Sequence, residues 1–153
     1  MPTTPTYLLD TGILLHWVRG SKVATVIDGQ FQLRAASFRP LICEVSLGEI
    51  ESFSRSESWG VEKRNKLKDL KKELVAVDIS DARIIDAYAD LSTLAKSNGW
   101  AIFHDKNDLW IAAATRVANA TLLTTDKAAF LPLRDEKHLD VVLIDPMTGW
   151  KVS

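Results

Sequence analysis

Four acidic residues stand where apolar runs of the sequence end or where helical stretches begin. Asp10 closes the run YLLD, Glu49 follows LICEV, Asp108 opens DLWIAAATRVAN, and Asp126 closes TLLTTD. Carboxylate oxygens, without a histidine pair or a cysteine cluster, favour hard ions such as Mg²⁺ or Mn²⁺ over zinc. An ion held in this way keeps positions for water and phosphate, so the reaction it suits best is phosphodiester hydrolysis.

The first of these residues allows another interpretation. Asp10, Thr11 and Gly12 form the tripeptide of an aspartic protease loop. Such proteases are rich in β-structure and need two of these loops facing each other. The elements around Asp10 therefore decide between a protease and a metal site.

Three of the acids also have a purely structural alternative. Ser46 and Glu49 have the spacing of a capping box, in which each side chain bonds the other residue's backbone N–H. Asp108 could complement a helix dipole, with Asn107 as the cap, and Asp126 could cap a short helix that follows it. Asp10 is harder to explain in this way, because burial of an unpaired charge at a strand end is destabilising.

Apolar runs of strand length alternate with longer stretches of helical period. The predicted strands cover residues 7–10, 41–45, 74–77, 121–124 and 141–144. The predicted helices cover residues 47–59, 60–72 and 80–98, with Ser80 as a cap and Gly99 as an end, then a stretch from 107 onward and weaker segments after 12 and 22. Continuously apolar strands are typical of a parallel sheet covered on both faces. The pattern predicts an α/β domain with a mainly parallel sheet of about five strands, which excludes the β-rich protease.

The carboxyl ends of parallel strands meet at one edge of the sheet, where ligands gather. The order of the elements allows Asp10, Glu49, Asp108 and Asp126 to converge there. Two carboxylates about 5 Å apart repel by roughly 3 kcal/mol at an effective dielectric near 20. A divalent cation would relieve this repulsion.

Length and composition limit the remaining possibilities. The 153 residues fit one domain, residues 1–153, and the formal charge of −1 means that nucleic acid would have to bind local basic patches. Cys43 is the only cysteine, so an internal disulfide is excluded. With no signal peptide and no apolar run near the roughly 18 residues needed to cross a bilayer, we expect a cytoplasmic protein without membrane contact.

The segment EKRNKLKDLKK carries the candidate RNA-binding residues Lys63, Arg64, Lys66 and Lys68 on a predicted helix. The alternative is a solvated face, with Leu67 packed inward. Other residues are weaker candidates for a site: Glu44, Glu51 and Asp105 near the acids, the scattered His16, His104 and His138, and Trp17, Trp59 and Trp110 as core residues or partner anchors.

The stretches YLLDTGILL, ICEVSLGEI, NDLWIAAATRVANATLLTTD and AAF resemble, in order and spacing, the signature blocks of PIN-domain ribonucleases. The toxin subunits of VapBC-type toxin–antitoxin pairs are the most similar. The resemblance runs from residue 7 to about residue 144. It implies a three-layer α/β/α fold and a Mg²⁺- or Mn²⁺-dependent endoribonuclease that is inhibited by a cognate antitoxin and forms a homodimer.

The resemblance also assigns roles to individual residues. It implies that Asp10, Glu49, Asp108 and Asp126 hold the metal and form the catalytic centre. Thr11 and Thr124 match hydroxyl residues that steady water or phosphate, and Asn107 matches a polar residue before the third acid. Gly12 departs mildly from the family, in which asparagine or serine is common. Two alternatives remain open, namely a nuclease of RNA processing or DNA repair without an antitoxin, and a catalytically silent nucleic-acid-binding module.

Overall fold

Residues 5–34 and 39–153 are described by the computed structural model, and within these ranges the chain forms five strands, seven α-helices and one short 3₁₀ helix. In chain order they are β1 Tyr7–Leu9, α1 Thr11–Arg19, α2 Lys22–Phe31, β2 Leu41–Cys43, α3 Glu44–Ser56, α4 Val61–Lys71, β3 Val75–Val77, α5 Ala82–Asn98, the 3₁₀ helix Ala101–His104, α6 Lys106–Val117, β4 Thr121–Thr124, α7 Lys127–Asp135 and β5 Asp140–Leu143.

The strands form one sheet in the order β3-β2-β1-β4-β5, and every pairing between them is parallel. The predicted α/β class and the parallel five-stranded sheet are confirmed. β1 is the central strand, between β2 and β4. α1, α3 and α7 follow β1, β2 and β4 with at most two residues between strand and helix. The carboxyl edge of the sheet is therefore also the place where these helices begin.

Side chains of the strands alternate between two helical layers. Leu8 and Leu122 pack into a core with α5, α6 and α7, whereas their neighbours Leu9 and Leu123 pack on the opposite face with α1, α2 and α4. All four leucines are fully buried. Since parallel strands covered on both faces must be apolar at every position, this explains the unbroken hydrophobic runs of the sequence.

The second strand and its following helix differ from the prediction. Residues 44 and 45 belong to α3, which begins one turn earlier than the predicted residue 47 and ends at Ser56 rather than near Trp59. Ser46, Ile50 and Ser54 form its buried face at four-residue spacing. The apolar Val45 extended the strand pattern, but packing of this helix face overrides the local preference of a β-branched residue.

The predicted helix at residues 80–98 is confirmed as α5, although its first turn is capped differently. Asp81, rather than Ser80, is the N-cap residue, and its side chain accepts a hydrogen bond from the backbone N–H of Arg83 at 2.8 Å. Gly99 ends the helix in the left-handed conformation, as predicted. No helix within the described ranges is long and apolar enough to span a bilayer.

Candidate metal centre

Asp10 lies directly after β1 and is the N-cap residue of α1. One carboxylate oxygen accepts a hydrogen bond from the backbone N–H of Thr11 at 2.8 Å, and the other accepts one from the Thr124 hydroxyl at 2.7 Å. Only 8% of the residue is exposed. Desolvation by burial outweighs both hydrogen bonds and raises the pKa of Asp10 from 3.8 to about 6, with nearby Glu49 and Asp126 adding to the rise.

Thr124 connects Asp10 with Asp126. Its hydroxyl donates to Asp10 and accepts a hydrogen bond from the backbone N–H of Asp126 at 2.9 Å. The Asp126 carboxylate caps α7 by accepting from the backbone N–H of Ala129 at 3.0 Å. The structural alternative for Asp126 is thus observed, and the same cap holds its carboxylate beside Asp10.

Glu49 lies in α3 and is held by Thr11, whose hydroxyl donates to Glu49 Oε1 at 2.7 Å. The capping box that was considered for Ser46 and Glu49 is wrong, because both residues lie inside α3, which has Cys43 at its N-cap. Ser46 is fully buried, and within the described ranges its hydroxyl finds no hydrogen-bond partner. Glu49 is therefore not needed for helix capping and lies beside Asp10.

Asp108 lies in the first turn of α6, as predicted. Its helix cap is Asp105, whose carboxylate accepts from the backbone N–H of Asp108 at 3.1 Å, so the alternative that placed Asn107 in this role is wrong. Burial, the largest cause, and the negative charges of Asp10, Asp105 and Asp126 together raise the pKa of Asp108 from 3.8 to about 8. These mutual effects show that the acids from three different helix starts lie near one another.

The electrostatics of the cluster are unfavourable for free carboxylates. The N-termini of α1, α6 and α7 carry partial positive charge, which stabilises nearby anions. Nevertheless the pKa values of Asp10 and Asp108 are raised, so burial and mutual repulsion outweigh the helix dipoles. In residues 5–34 and 39–153 no three acidic, histidine or cysteine side chains are arranged as a ready-made ion site. Ion binding would thus require carboxylates to turn toward a common point.

An open groove of about 620 Å³ extends from Glu49 between α3 and α6. Its lining residues are Val45, Gly48, Glu49, Ser52, Phe53, Ser56 and Asn107. Asn107 is exposed and lies on the α6 side. We call this feature the α3–α6 groove.

The candidate RNA-binding residues of α4 lie on its exposed face. Lys63, Arg64, Lys66 and Lys68 are exposed, and Leu67 is buried between them, as expected for a solvated helix with an inward-facing leucine. The Lys63 ammonium lies over the ring of Trp59, 5.5 Å from its centroid.

The tryptophans considered as partner anchors belong mainly to the interior. Trp17 and Trp59 are buried in the core, and the half-buried Trp110 stacks on Tyr88 with the ring centroids 4.0 Å apart. The half-buried His16 has a lowered pKa because of burial, with Arg19 contributing.

Asp105, a weaker candidate in the sequence, lies against Asp108 as the cap of α6. Two residues were not singled out from the sequence: Phe53, which lines the groove, and Arg19, whose guanidinium lies over the Phe53 ring. The spacing of Phe53, one helical turn after Glu49, was the signal that could have found it.

Fold and site together define an α/β/α domain with an acidic centre at the carboxyl edge of its parallel sheet. The PIN domain model matches residues 7–132. The chain belongs to the PIN-domain family, and the family predicted from the sequence blocks is confirmed. No curated protein matches the chain.

Solved structures share the fold at low sequence identity. A chain of VapBC2 from Rickettsia felis, bound to a DNA fragment from its promoter, is 22% identical with a TM-score of 0.73, over 89% of this chain and 96% of that one. VapBC-1 from nontypeable Haemophilus influenzae is 21% identical with a TM-score of 0.73, over 90% and 97%. FitAcB from Neisseria gonorrhoeae is 18% identical with a TM-score of 0.66, over 93% and 99%.

Proposed function

We propose that this PIN-domain protein is a divalent-metal-dependent endoribonuclease and that residues 1–153 act as one nuclease domain. The observation that carries the proposal is the cluster around Asp10, a nearly buried carboxylate with a raised pKa and three further acids near it. Such a cluster destabilises the fold when all its members are ionised. A hard cation would make their ionisation favourable.

The donor set fits Mg²⁺ or Mn²⁺, because it consists of carboxylate oxygens without thiolate or imidazole. Asp10, Glu49, Asp108 and Asp126 would hold the ion and are the proposed catalytic residues. When bound, the ion would supply charge that lowers the pKa of an attacking water and stabilises the charge developing on the phosphate.

The surrounding polar residues orient these acids. Thr124 fixes one oxygen of Asp10, and Thr11 fixes one oxygen of Glu49 while its backbone N–H holds Asp10. Asn107 lines the α3–α6 groove with its amide exposed, where it can bond phosphate or a base. The exposed cations of α4 would contact the RNA backbone.

We further propose that the protein is the toxin of a toxin–antitoxin pair. This rests on the fold shared with VapBC complexes, including a VapBC family member from Mycobacterium tuberculosis with a TM-score of 0.62. In this proposal a cognate antitoxin inhibits the nuclease, the protein forms a homodimer, and it acts on cytoplasmic RNA.

The proposal is tested by incubating purified protein with RNA in the presence of Mg²⁺, Mn²⁺ or a chelator. Cleavage should require the ion and fall by roughly 10²-fold or more in Asp10→Asn, since charge stabilisation by a metal ion contributes several kcal/mol. Asp90→Asn, the same change at an exposed position of α5, should cleave like the wild type. Full cleavage by Asp10→Asn, or cleavage that survives chelation, would refute the assignment.

A further inference from the structure

The α3–α6 groove joins the acidic centre to an aromatic and basic surface along one helix. Glu49 and Phe53 both line the groove, and their four-residue separation places Phe53 about 6 Å farther along the axis of α3. Ser52 is exposed between them. A chain molecule that leaves Glu49 along this groove therefore meets the Ser52 hydroxyl and the Phe53 ring within about one helical turn.

Beyond Phe53, cations and aromatic rings alternate. The Arg19 guanidinium lies 5.7 Å from the centroid of the Phe53 ring. The rings of Phe53 and Trp59 pack edge to face, with their centroids 5.9 Å apart. The Lys63 ammonium lies 5.5 Å from the centroid of the Trp59 ring. Both cations are exposed, so their N–H groups remain available to a ligand. The rings hold the two charges in place on the surface.

This arrangement matches the chemistry of a single-stranded nucleic acid. Proteins bind single strands with cationic groups that follow the backbone and with aromatic side chains that contact bases. In a duplex the bases are stacked and paired, so they are not free to reach the ring of Phe53. With a net charge of only −1, a polyanion must find local cations, which Arg19 and Lys63 supply.

The polarity of the groove favours nucleic acid over a docked protein helix. Its apolar lining consists of Val45 and Phe53, and the remaining lining residues are glycine, two serines, an asparagine and the acid itself. Grooves that bind amphipathic helices present a continuous apolar surface. Hydroxyl and amide groups instead suit sugars, phosphates and base edges.

We propose that the α3–α6 groove and its continuation at Arg19 and Lys63 bind the single-stranded RNA next to the scissile phosphate, with Phe53 contacting a base. This inference rests on the proposed nuclease function, because it takes Glu49 as the end of the groove at which the phosphate is cut. It predicts that the enzyme prefers unpaired RNA.

The test measures binding of a fluorescent oligouridylate of about ten nucleotides, within the usual range of single-strand sites. All variants carry Asp10→Asn, so that the RNA is not cut. Arg19→Glu and Lys63→Glu reverse the two cations, and Ser52→Glu places a charge in the groove without altering any ring contact. The matched controls are Lys151→Glu, in the C-terminal segment beyond β5, and Ser97→Glu, an exposed position of α5.

Each of the two reversals should weaken binding roughly tenfold and lower the slope of log affinity against log salt by about one. Ser52→Glu should weaken binding several-fold, and a duplex of equal length should bind less tightly than the single strand. Melting temperatures show whether each variant is folded. Affinities like those of the controls in all three groove variants would overturn the proposal, as would a duplex that binds as tightly as the single strand.

The outcomes separate this proposal from the nuclease itself. If wild-type protein never cuts RNA but the groove variants lose binding as expected, the groove assignment stands and the nuclease fails. If metal-dependent cleavage and RNA binding both persist unchanged in Arg19→Glu and Lys63→Glu, the nuclease stands and the groove assignment is wrong. If the groove variants bind RNA normally but are no longer inhibited by an antitoxin, the groove binds a protein partner and the RNA-binding proposal is refuted.

Discussion

The Thr11 side chain ties together two carboxylates from distant parts of the chain. Its backbone N–H bonds Asp10, and its hydroxyl bonds Glu49, 38 residues farther along the sequence. A hydrogen bond that fixes the orientation of a metal ligand typically contributes 10- to 100-fold to metal affinity. In the proposed metal site, Thr11 would therefore act through Glu49 as a positioning residue.

Replacing Thr11 by valine keeps the shape of the side chain and removes its hydroxyl. We expect Thr11→Val to weaken Mn²⁺ binding roughly 10- to 100-fold, measured by calorimetric titration, because Glu49 loses its fixed orientation. Thr11→Ser should restore most of the affinity. Thr93→Val, at an exposed position of α5, should bind like the wild type; equal affinities of Thr11→Val and Thr93→Val would contradict the role.

At this scale the sequence predicted the acids but not their hydrogen bonds. Asp10 and Asp126 were predictable because a polar residue directly after a buried strand is confined to the carboxyl edge of the sheet. The contact between Thr11 and Glu49 could not be predicted, because no local pattern encodes a hydrogen bond across 38 residues.

Helix starts position most of the acidic centre. Asp10, Asp105 and Asp126 cap α1, α6 and α7, and Asp108 lies in the first turn of α6. A capping carboxylate must turn back toward its own helix to reach the backbone N–H groups. Each cap therefore fixes a carboxylate at the carboxyl edge of the sheet, so one interaction serves both stability and the proposed site.

Asp126 allows the two roles to be separated. Asp126→Asn keeps an oxygen that can cap α7, so its stability should stay close to that of the wild type, whereas its RNA cleavage should fall with the loss of a charged ligand. Asp126→Ala should also lose about 1 kcal/mol of unfolding free energy with the missing cap. Chemical denaturation and cleavage assays measure both effects. If Asp126→Asn cleaves RNA at the wild-type rate, Asp126 only caps α7 and is not a metal ligand.

Helix boundaries were predicted well from the sequence where the apolar periodicity and the capping residues indicate the same ends. The helix at residues 80–98 has a regular apolar face and a terminal glycine, and the structure places α5 there. The start of α3 was misplaced because Val45 continues an apolar run and Ser46 imitates a cap. Only the packing of Ser46 and Ile50 against the rest of the molecule fixes its true beginning.

For the whole molecule, the acidic centre couples folding to pH. The pKa values of Asp10 and Asp108 in the folded protein are raised to about 6 and about 8, above the ordinary 3.8. Between the ordinary pKa of 3.8 and these raised values, the folded state binds more protons than the unfolded state. Their contribution to stability is thus fully present below about pH 4 and is lost as the pH rises toward about 8.

We therefore expect the melting temperature of metal-free protein to include a component that falls between about pH 4 and about pH 8. Asp108→Asn should flatten this dependence, whereas Asp90→Asn should keep it. Millimolar Mn²⁺ should raise the melting temperature most at the upper end, where the ionised acids repel one another. A dependence that is identical in wild type and Asp108→Asn would contradict the raised pKa values.

The most direct test is anomalous diffraction from crystals of the wild-type protein grown with Mn²⁺. The predicted result is an anomalous peak at coordinating distance, about 2.1 Å, from oxygens of Asp10 and at least two of Glu49, Asp108 and Asp126. The same crystals of Asp10→Asn should lack this peak. A wild-type map without a peak among these carboxylates, or with one only elsewhere, would contradict the shared ion on which the proposed function depends.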